Sequence, residues 1–201
     1  MLHDWLEFLS EQFSNIDALQ WTILILGVTE VLLAKVNNIL LYPAGIGATV
    51  LASYSLFTAQ LYAECLLHFY YLVMSIYGWW YWAKKKNSED VIVAFATKRE
   101  WLITFVITFG GWTVLYGALV SFTPSTVPVW DAWVSATAWA GTWLLARRRV
   151  ENWLLLNLSN AFAIPLLFFK NLPLFAVLTF ILFVVACLGY YDWKKIAKAN
   201  A

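Results

Sequence analysis

The chain has 201 residues, of which 62% are hydrophobic and 12% charged, about half the charged share of an ordinary soluble domain, roughly 25%. So few charges cannot cover a water-soluble globule of this size, and the composition points to an integral membrane protein. A net charge of +1 is by itself silent on nucleic acid, but the chain has no basic domain to neutralise a phosphate backbone, and no nucleic-acid partner is expected.

In chain order, residues 1–17 carry Asp4, Glu7, Glu11 and Asp17 but no Lys or Arg, unlike a cleavable signal. Leu2, Trp5, Leu6, Phe8, Leu9 and Phe13 recur among those acids at roughly helical spacing, which predicts an amphipathic helix on the membrane surface. A hydrocarbon core about 30 Å thick takes about 20 helical residues. Runs of that kind predict seven spans, at 18–36, 39–58, 60–83, 100–121, 130–146, 152–169 and 173–191. Pro165 predicts a kink or break in the sixth. With 13 Trp and an aromatic share of 18%, the chain has the rings that settle at membrane interfaces.

Basic residues set the orientation. With the N-terminus outside, 12 of the 13 fall on the cytoplasmic side: Lys35, Lys84, Lys85, Lys86, Lys98, Arg99, Arg147, Arg148, Arg149, Lys194, Lys195 and Lys198. Lys170 alone lies outside. The lysine and arginine runs fix topology and touch anionic membrane lipid. An odd number of spans satisfies this pattern, whereas six or eight would put one cluster on the wrong face.

An internal repeat relates the first three spans to the last three. Leu32-Leu33-Ala34-Lys35 matches Leu144-Leu145-Ala146-Arg147, Asn38 matches Asn152, and Gly78-Trp79-Trp80-Tyr81-Trp82 matches Gly189-Tyr190-Tyr191-Asp192-Trp193. Two such units separated by one helix run parallel. The expected fold is therefore all-α, with seven transmembrane helices in a 3+1+3 parallel repeat of three-helix bundles. Its parts are an N-terminal segment at 1–17, a first bundle at 18–83, a linker with the fourth helix at 84–128, and a second bundle with a cytoplasmic tail at 129–201. Transporters whose bundles rock about a central site use such plans.

Polar side chains in hydrocarbon cost about 2.5–3.5 kcal/mol on insertion scales, so they face a cavity or a partner helix. Glu64, His68, Tyr71 and Ser75 share one face of span three, and Trp153, Asn157 and Asn160 share one face of span six. Asp131, Ser135 and Trp139 step by four along span five, and Glu30 lies in span one above Asn37 and Asn38. Amides, acids and flat rings together suit a neutral or cationic heterocycle that stacks and is read at its edge. The competing interpretation is interhelical glue, and for Asp131 and Glu30 gating or structural roles stand beside binding. No phosphate-cradling GxxxxGK[ST] loop occurs, nor HExxH, CxxC or GxSxG. Two histidines, His3 and His68, cannot build a metal site, and Cys65 and Cys187 sit in apolar runs. Neither an enzyme nor a bound cofactor or metal is expected.

Several motifs carry a family resemblance. They are Asn37-Asn38-Ile39 with Tyr42-Pro43-Ala44-Gly45-Ile46, Leu61-Tyr62-Ala63-Glu64, Ile76-Tyr77-Gly78-Trp79, Trp130-Asp131, and Val150-Glu151-Asn152-Trp153-Leu154-Leu155. At this spacing, over nearly the whole chain, the sequence resembles the PnuC-type vitamin transporters, a family of nicotinamide riboside facilitators. The resemblance implies a SWEET-like fold in the bacterial inner membrane, with substrate held between the two bundles. It also implies uniport with trapping by a cytoplasmic kinase, and a homo-oligomer, in this family a trimer. Carried over by position, it implies binding by Trp153 and Asn160 and at His68; the polar stripes themselves add Asn157, Glu64, Tyr71, Ser75, Asn38 and Trp139 as candidate binding residues, with gating or structural roles for Asp131, Glu30 and Trp79. Leu156 stands where the family's second span-six tryptophan falls, and His68 where a glutamine is common. Nicotinamide riboside and thiamine both remain open as cargo. Other classes also remain: a non-transporting scaffold or regulatory subunit, and an intramembrane enzyme for which no nucleophile–base pair is found.

Overall fold

The computed structural model describes residues 17–58, 62–84, 92–170 and 172–200, so the expected surface helix at 1–17 lies outside the described residues apart from Asp17. Seven helical segments follow one another: α1 (Ala18–Lys35), α2 (Leu41–Thr58), α3 (Tyr62–Lys84), α4 (Lys98–Phe122), α5 (Pro128–Ala146), α6 (Asn152–Phe169) and α7 (Pro173–Ala199). By length and composition, α1, α4, α6 and α7 are each apolar enough to cross a membrane. The other three have 18, 23 and 19 residues, long enough to span, but Gly, Ser, Tyr and Trp dilute their apolar character.

Local chemistry sets the helix starts. Asp17 caps α1 by accepting from the Gln20 N–H at 2.6 Å, and Thr97 and Glu100 form the same reciprocal box at the start of α4. Pro128 and Pro173 occupy first-turn positions where no N–H is needed.

Three differences from expectation have physical causes. The break allowed for at Pro165 is absent: α6 continues through it to Phe169, because a proline there removes a single backbone bond and leaves the rest of the ladder in place. A π-helical turn, Val106–Gly110, interrupts α4 where Gly110 and Gly111 offer little side-chain resistance. Beyond residue 191, α7 continues to Ala199, carrying its lysines on a helix that leaves the apolar zone.

Antiparallel neighbours pack in sequence, α1 on α2 on α3 and α5 on α6 on α7, while α3 meets α5, α1 meets α7, and α4 lies against α5. At the end bearing Lys35 and Arg147, here termed the basic end, contacts recur 111 positions apart. Trp82 donates its indole N–H to the Ala146 carbonyl at 3.1 Å, and Trp193 donates to the matching Lys35 carbonyl at 3.2 Å, sharing the bond with the Ala34 carbonyl at 3.1 Å. Trp82 stands edge-on to Tyr42 at 5.1 Å, and Trp193 edge-on to Trp153 at 5.7 Å. A Cβ on Gly78 would strike the Tyr42 ring, and one on Gly189 would lie 2.7 Å from the Trp153 ring. Both glycines are thus fixed by close approach.

The turns match as well. Asn37 and Arg148 share φ 56°, and each is followed by an N–H bonding back five residues, Asn38 to Leu33 and Arg149 to Leu144, both at 2.9 Å. Geometry therefore pairs Asn38 with Arg149, not with Asn152 as the sequence comparison had it. A constant offset runs through the whole set, where the expected one drifted.

Candidate functional site

Polar residues of α3 and α5 converge on two adjoining cavities. The inner one, about 320 Å³, receives His68, Tyr71 and Ser75 from α3, Glu30 from α1 and Thr142 from α5. Trp153, in the first turn of α6, lines it at the basic end together with Leu145. The outer one, about 690 Å³, is walled by Asp131, Ser135 and Trp139, spaced four apart on α5, and its rim carries Ser125 and Lys170. His68 and Tyr71 line both, so the cavities meet where these rings stand 5.9 Å apart at 73°. Both volumes fall within the roughly 300–1,000 Å³ of small-molecule sites.

At the rim, Lys170 Nζ lies 2.6 Å and 2.7 Å from the two Asp131 carboxylate oxygens, and Ser125 Oγ donates to Asp131 Oδ2 at 2.6 Å. This bidentate pair joins the start of α5 to the end of α6, where the carboxylate also faces the positive end of the helix dipole. Deeper, Tyr70 stacks on Trp139 at 4.4 Å and donates its hydroxyl to the Trp139 carbonyl at 3.0 Å, tying α3 to α5.

Among the described residues Glu30 is the acid of the inner cavity, and no Lys or Arg lines it. Its carboxylate fits because α2 has Gly45 opposite: Oε1 occupies the place a Cβ there would take. At the positions 111 residues on, the relation is reversed. Gly141 supplies the gap and the Leu156 side chain fills it, 2.9 Å from where a Cβ would stand.

Toward the basic end the path stops. Leu41 and Trp193 are 0% exposed, Trp153 1% and Trp82 2%, a continuous plug of three indole rings and one leucine. Arg148 lies 3.8 Å over the Trp82 ring, and burial draws its guanidinium below the usual arginine value, though not near neutrality at pH 7. A strap before α4 covers the plug. The Ala94 N–H donates to the Arg148 carbonyl at 3.2 Å, the Val150 N–H donates to the Ala94 carbonyl at 3.0 Å, and Val93 is buried beneath. Glu100 pins the strap's end to Arg149 at 2.8 Å and Arg147 at 3.5 Å.

Of the residues singled out from sequence, His68, Tyr71, Ser75, Glu30 and Trp153 line the inner cavity, and Asp131 and Trp139 the outer. The span-six stripe divides. Asn157 turns toward α7 and donates to Cys187 Sγ at 3.4 Å, while its buried Oδ1 has no partner among the described residues. Asn160 is half-buried and lines neither cavity. Asn38 is exposed in the α1–α2 turn, its Oδ1 accepting from the Leu40 N–H at 3.0 Å, and Trp79 is an exposed ring on the outer face of α3. The Glu64 side chain lies outside the described residues. Thr142, Lys170 and the Gly45 recess went unrecognised. Only Lys170, the lone basic residue of its end, carried a signal. Among the described residues no cluster of His, Cys, Asp or Glu could hold a metal ion. The arrangement can enclose a flat, polar solute.

The model of the nicotinamide mononucleotide transporter family matches residues 17–195. The nicotinamide riboside transporter PnuC of Escherichia coli (strain K12) is 23% identical over 200 residues, covering 87% of this chain and 84% of that protein. The protein of the same name from Shigella flexneri matches to the same extent. Among solved structures, the crystal structure of the vitamin B3 transporter PnuC superposes with a TM-score of 0.72 at 23% identity, over 98% of this chain and 91% of that one. These relatives are named as transporters, not enzymes, and the superposition speaks for a shared fold. With 179 consecutive positions matched from residue 17 to 195, the chain is a multi-pass membrane protein that belongs to the nicotinamide mononucleotide transporter family.

Proposed function

We propose that the protein is a facilitative transporter of nicotinamide riboside, or a similar nucleoside-like vitamin, across the bacterial inner membrane. The carrying observation is the pair of polar, ring-lined cavities that meet at His68 and Tyr71. A nucleoside fits better than a nucleotide. Phosphate needs Lys, Arg or a helix N-terminus aimed at it, whereas the inner cavity offers Glu30 and no Lys or Arg.

In this reading all seven helices span, the basic end is cytoplasmic, and the bundles at 18–83 and 129–201 rock about the central site. The recurrence of contacts 111 positions apart supports that 3+1+3 plan. The state described here then faces outward: Asp131 and Lys170 stand at the entrance, and the reciprocal Trp82 and Trp193 bonds hold the cytoplasmic exit shut. Trp153, at the floor of the inner cavity, joins binding to that exit, because its ring touches both the cavity and Trp193. Asn157 joins the site if α6 turns during rocking and frees its unpartnered oxygen. A cytoplasmic kinase that phosphorylates the cargo makes uptake one-way, and a trimer is the assembly the family resemblance implies.

Thiamine is the second candidate cargo, favoured by Leu156, which replaces a ring with an aliphatic wall beside the site. Counterflow tests the proposal. Proteoliposomes preloaded with unlabelled nicotinamide riboside should take up labelled riboside without any ion gradient. Uptake that needs a proton or sodium gradient contradicts uniport, and no uptake of riboside or thiamine contradicts transport of this class.

A further inference from the structure

We infer that Glu30 is a specificity-determining residue that selects positively charged solutes over neutral ones of the same shape. The inference rests on the transport reading above and assigns a role to a side chain that the reading does not need. Three observations carry it. First, the Glu30 carboxylate borders the inner cavity with no ion pair among the described residues, and no Lys or Arg shares that wall. An unpaired carboxylate at this depth is costly, and a cationic guest offsets that cost by direct attraction.

Second, the recess is built for it. Gly45 leaves the space that the carboxylate occupies, whereas the matching contact 111 positions on is apolar, with Leu156 seated on Gly141. A helix contact alone is satisfied by the apolar pair, so packing does not explain an acid on one side only. Third, the same cavity presents Tyr71 and Trp153, whose ring faces attract cations. A flat cation between such rings and a carboxylate gains from both, while its neutral isostere gains only the stacking.

The two oxidation states of one ligand supply the probe: nicotinamide riboside carries a positive ring nitrogen, and its 1,4-dihydro form is neutral with nearly the same outline. Calorimetry on purified full-length protein should give at least tenfold tighter binding of the cation. In Glu30→Gln that ratio should fall to about one through loss of cation affinity, with the dihydro form changed less than threefold. Glu30→Asp should keep a preference of several-fold, and it serves as the second variant if Glu30→Gln does not fold. Equal affinities in the unmodified protein overturn the inference and leave the transport reading standing. A preference unchanged in Glu30→Gln, or equal loss of both ligands there, also overturns it, the second outcome meaning a purely structural role. An unmodified protein that binds neither form contradicts the transport reading itself.

Discussion

The basic end and the inner cavity are built from the same two stretches of chain, yet only one of them is symmetric. At the basic end each stretch gives one tryptophan to a carbonyl of the other, and each keeps one glycine bare for a neighbouring ring. One turn deeper the correspondence ends: Glu30 on Gly45 answers Leu156 on Gly141. A closure that must open and re-form gains from paired, equal contacts, because neither half is then distorted more than the other. Recognition of an asymmetric solute has the opposite need. Matched contacts therefore mark mechanics here, and unmatched contacts mark chemistry.

Substitutions can break or sharpen that contrast. Trp153 belongs to both regions, so Trp153→Ala should have the largest effect. Stability should fall by about 3–5 kcal/mol, as for large aromatic deletions in packed cores, and affinity for nicotinamide riboside by tenfold or more. Thermal unfolding in detergent and calorimetry read these separately, and unchanged affinity removes Trp153 from the site. Next come Gly78→Ala and Gly189→Ala, each of which forces a ring aside at about 1–3 kcal/mol. Symmetry requires comparable losses in melting temperature, whereas Gly27→Ala, with nothing within 4 Å of its added Cβ, should cause none. A large inequality between the first two would break the equivalence.

Smaller still, Trp82→Phe and Trp193→Phe each remove one indole donor, whose bonding is worth about 0.5–1.5 kcal/mol, and keep most of the ring. Each should raise the reactivity of a cysteine placed in the inner cavity toward reagents from the basic side, by similar factors. The smallest effect belongs to Lys170→Gln at the half-exposed rim, where the lost ion pair is worth about 1 kcal/mol or less. Melting temperature should barely move, and uptake should become less sensitive to salt.

Much of this organisation is legible in the sequence. Apolar runs located all seven helices because membrane thickness fixes their length, and the Gly-x-x-x-Trp endings of α3 and α7 announced the pair that now proves reciprocal. Side-chain direction was less accessible. A stripe at i, i+4, i+7 defines a face, and the face of α6 straddles the cavity and α7, so Trp153 reaches the cavity and Asn157 meets Cys187. Nor does sequence alone reveal a recess made by an absent atom: Gly45 stands in a legible motif, but its role as the seat of the Glu30 carboxylate is visible only in the structure.

The central claim is a chamber reached from the Asp131 end while the Trp82 and Trp193 closure holds. Thr142, beside Glu30 in the inner cavity, tests it most directly. In protein lacking Cys65 and Cys187, Thr142→Cys should react with a membrane-impermeant thiol reagent from the outer face of proteoliposomes, react far more slowly from the basic face, and be protected by nicotinamide riboside. A cysteine there that stays inert from both faces, or reacts equally with and without the riboside, contradicts the chamber.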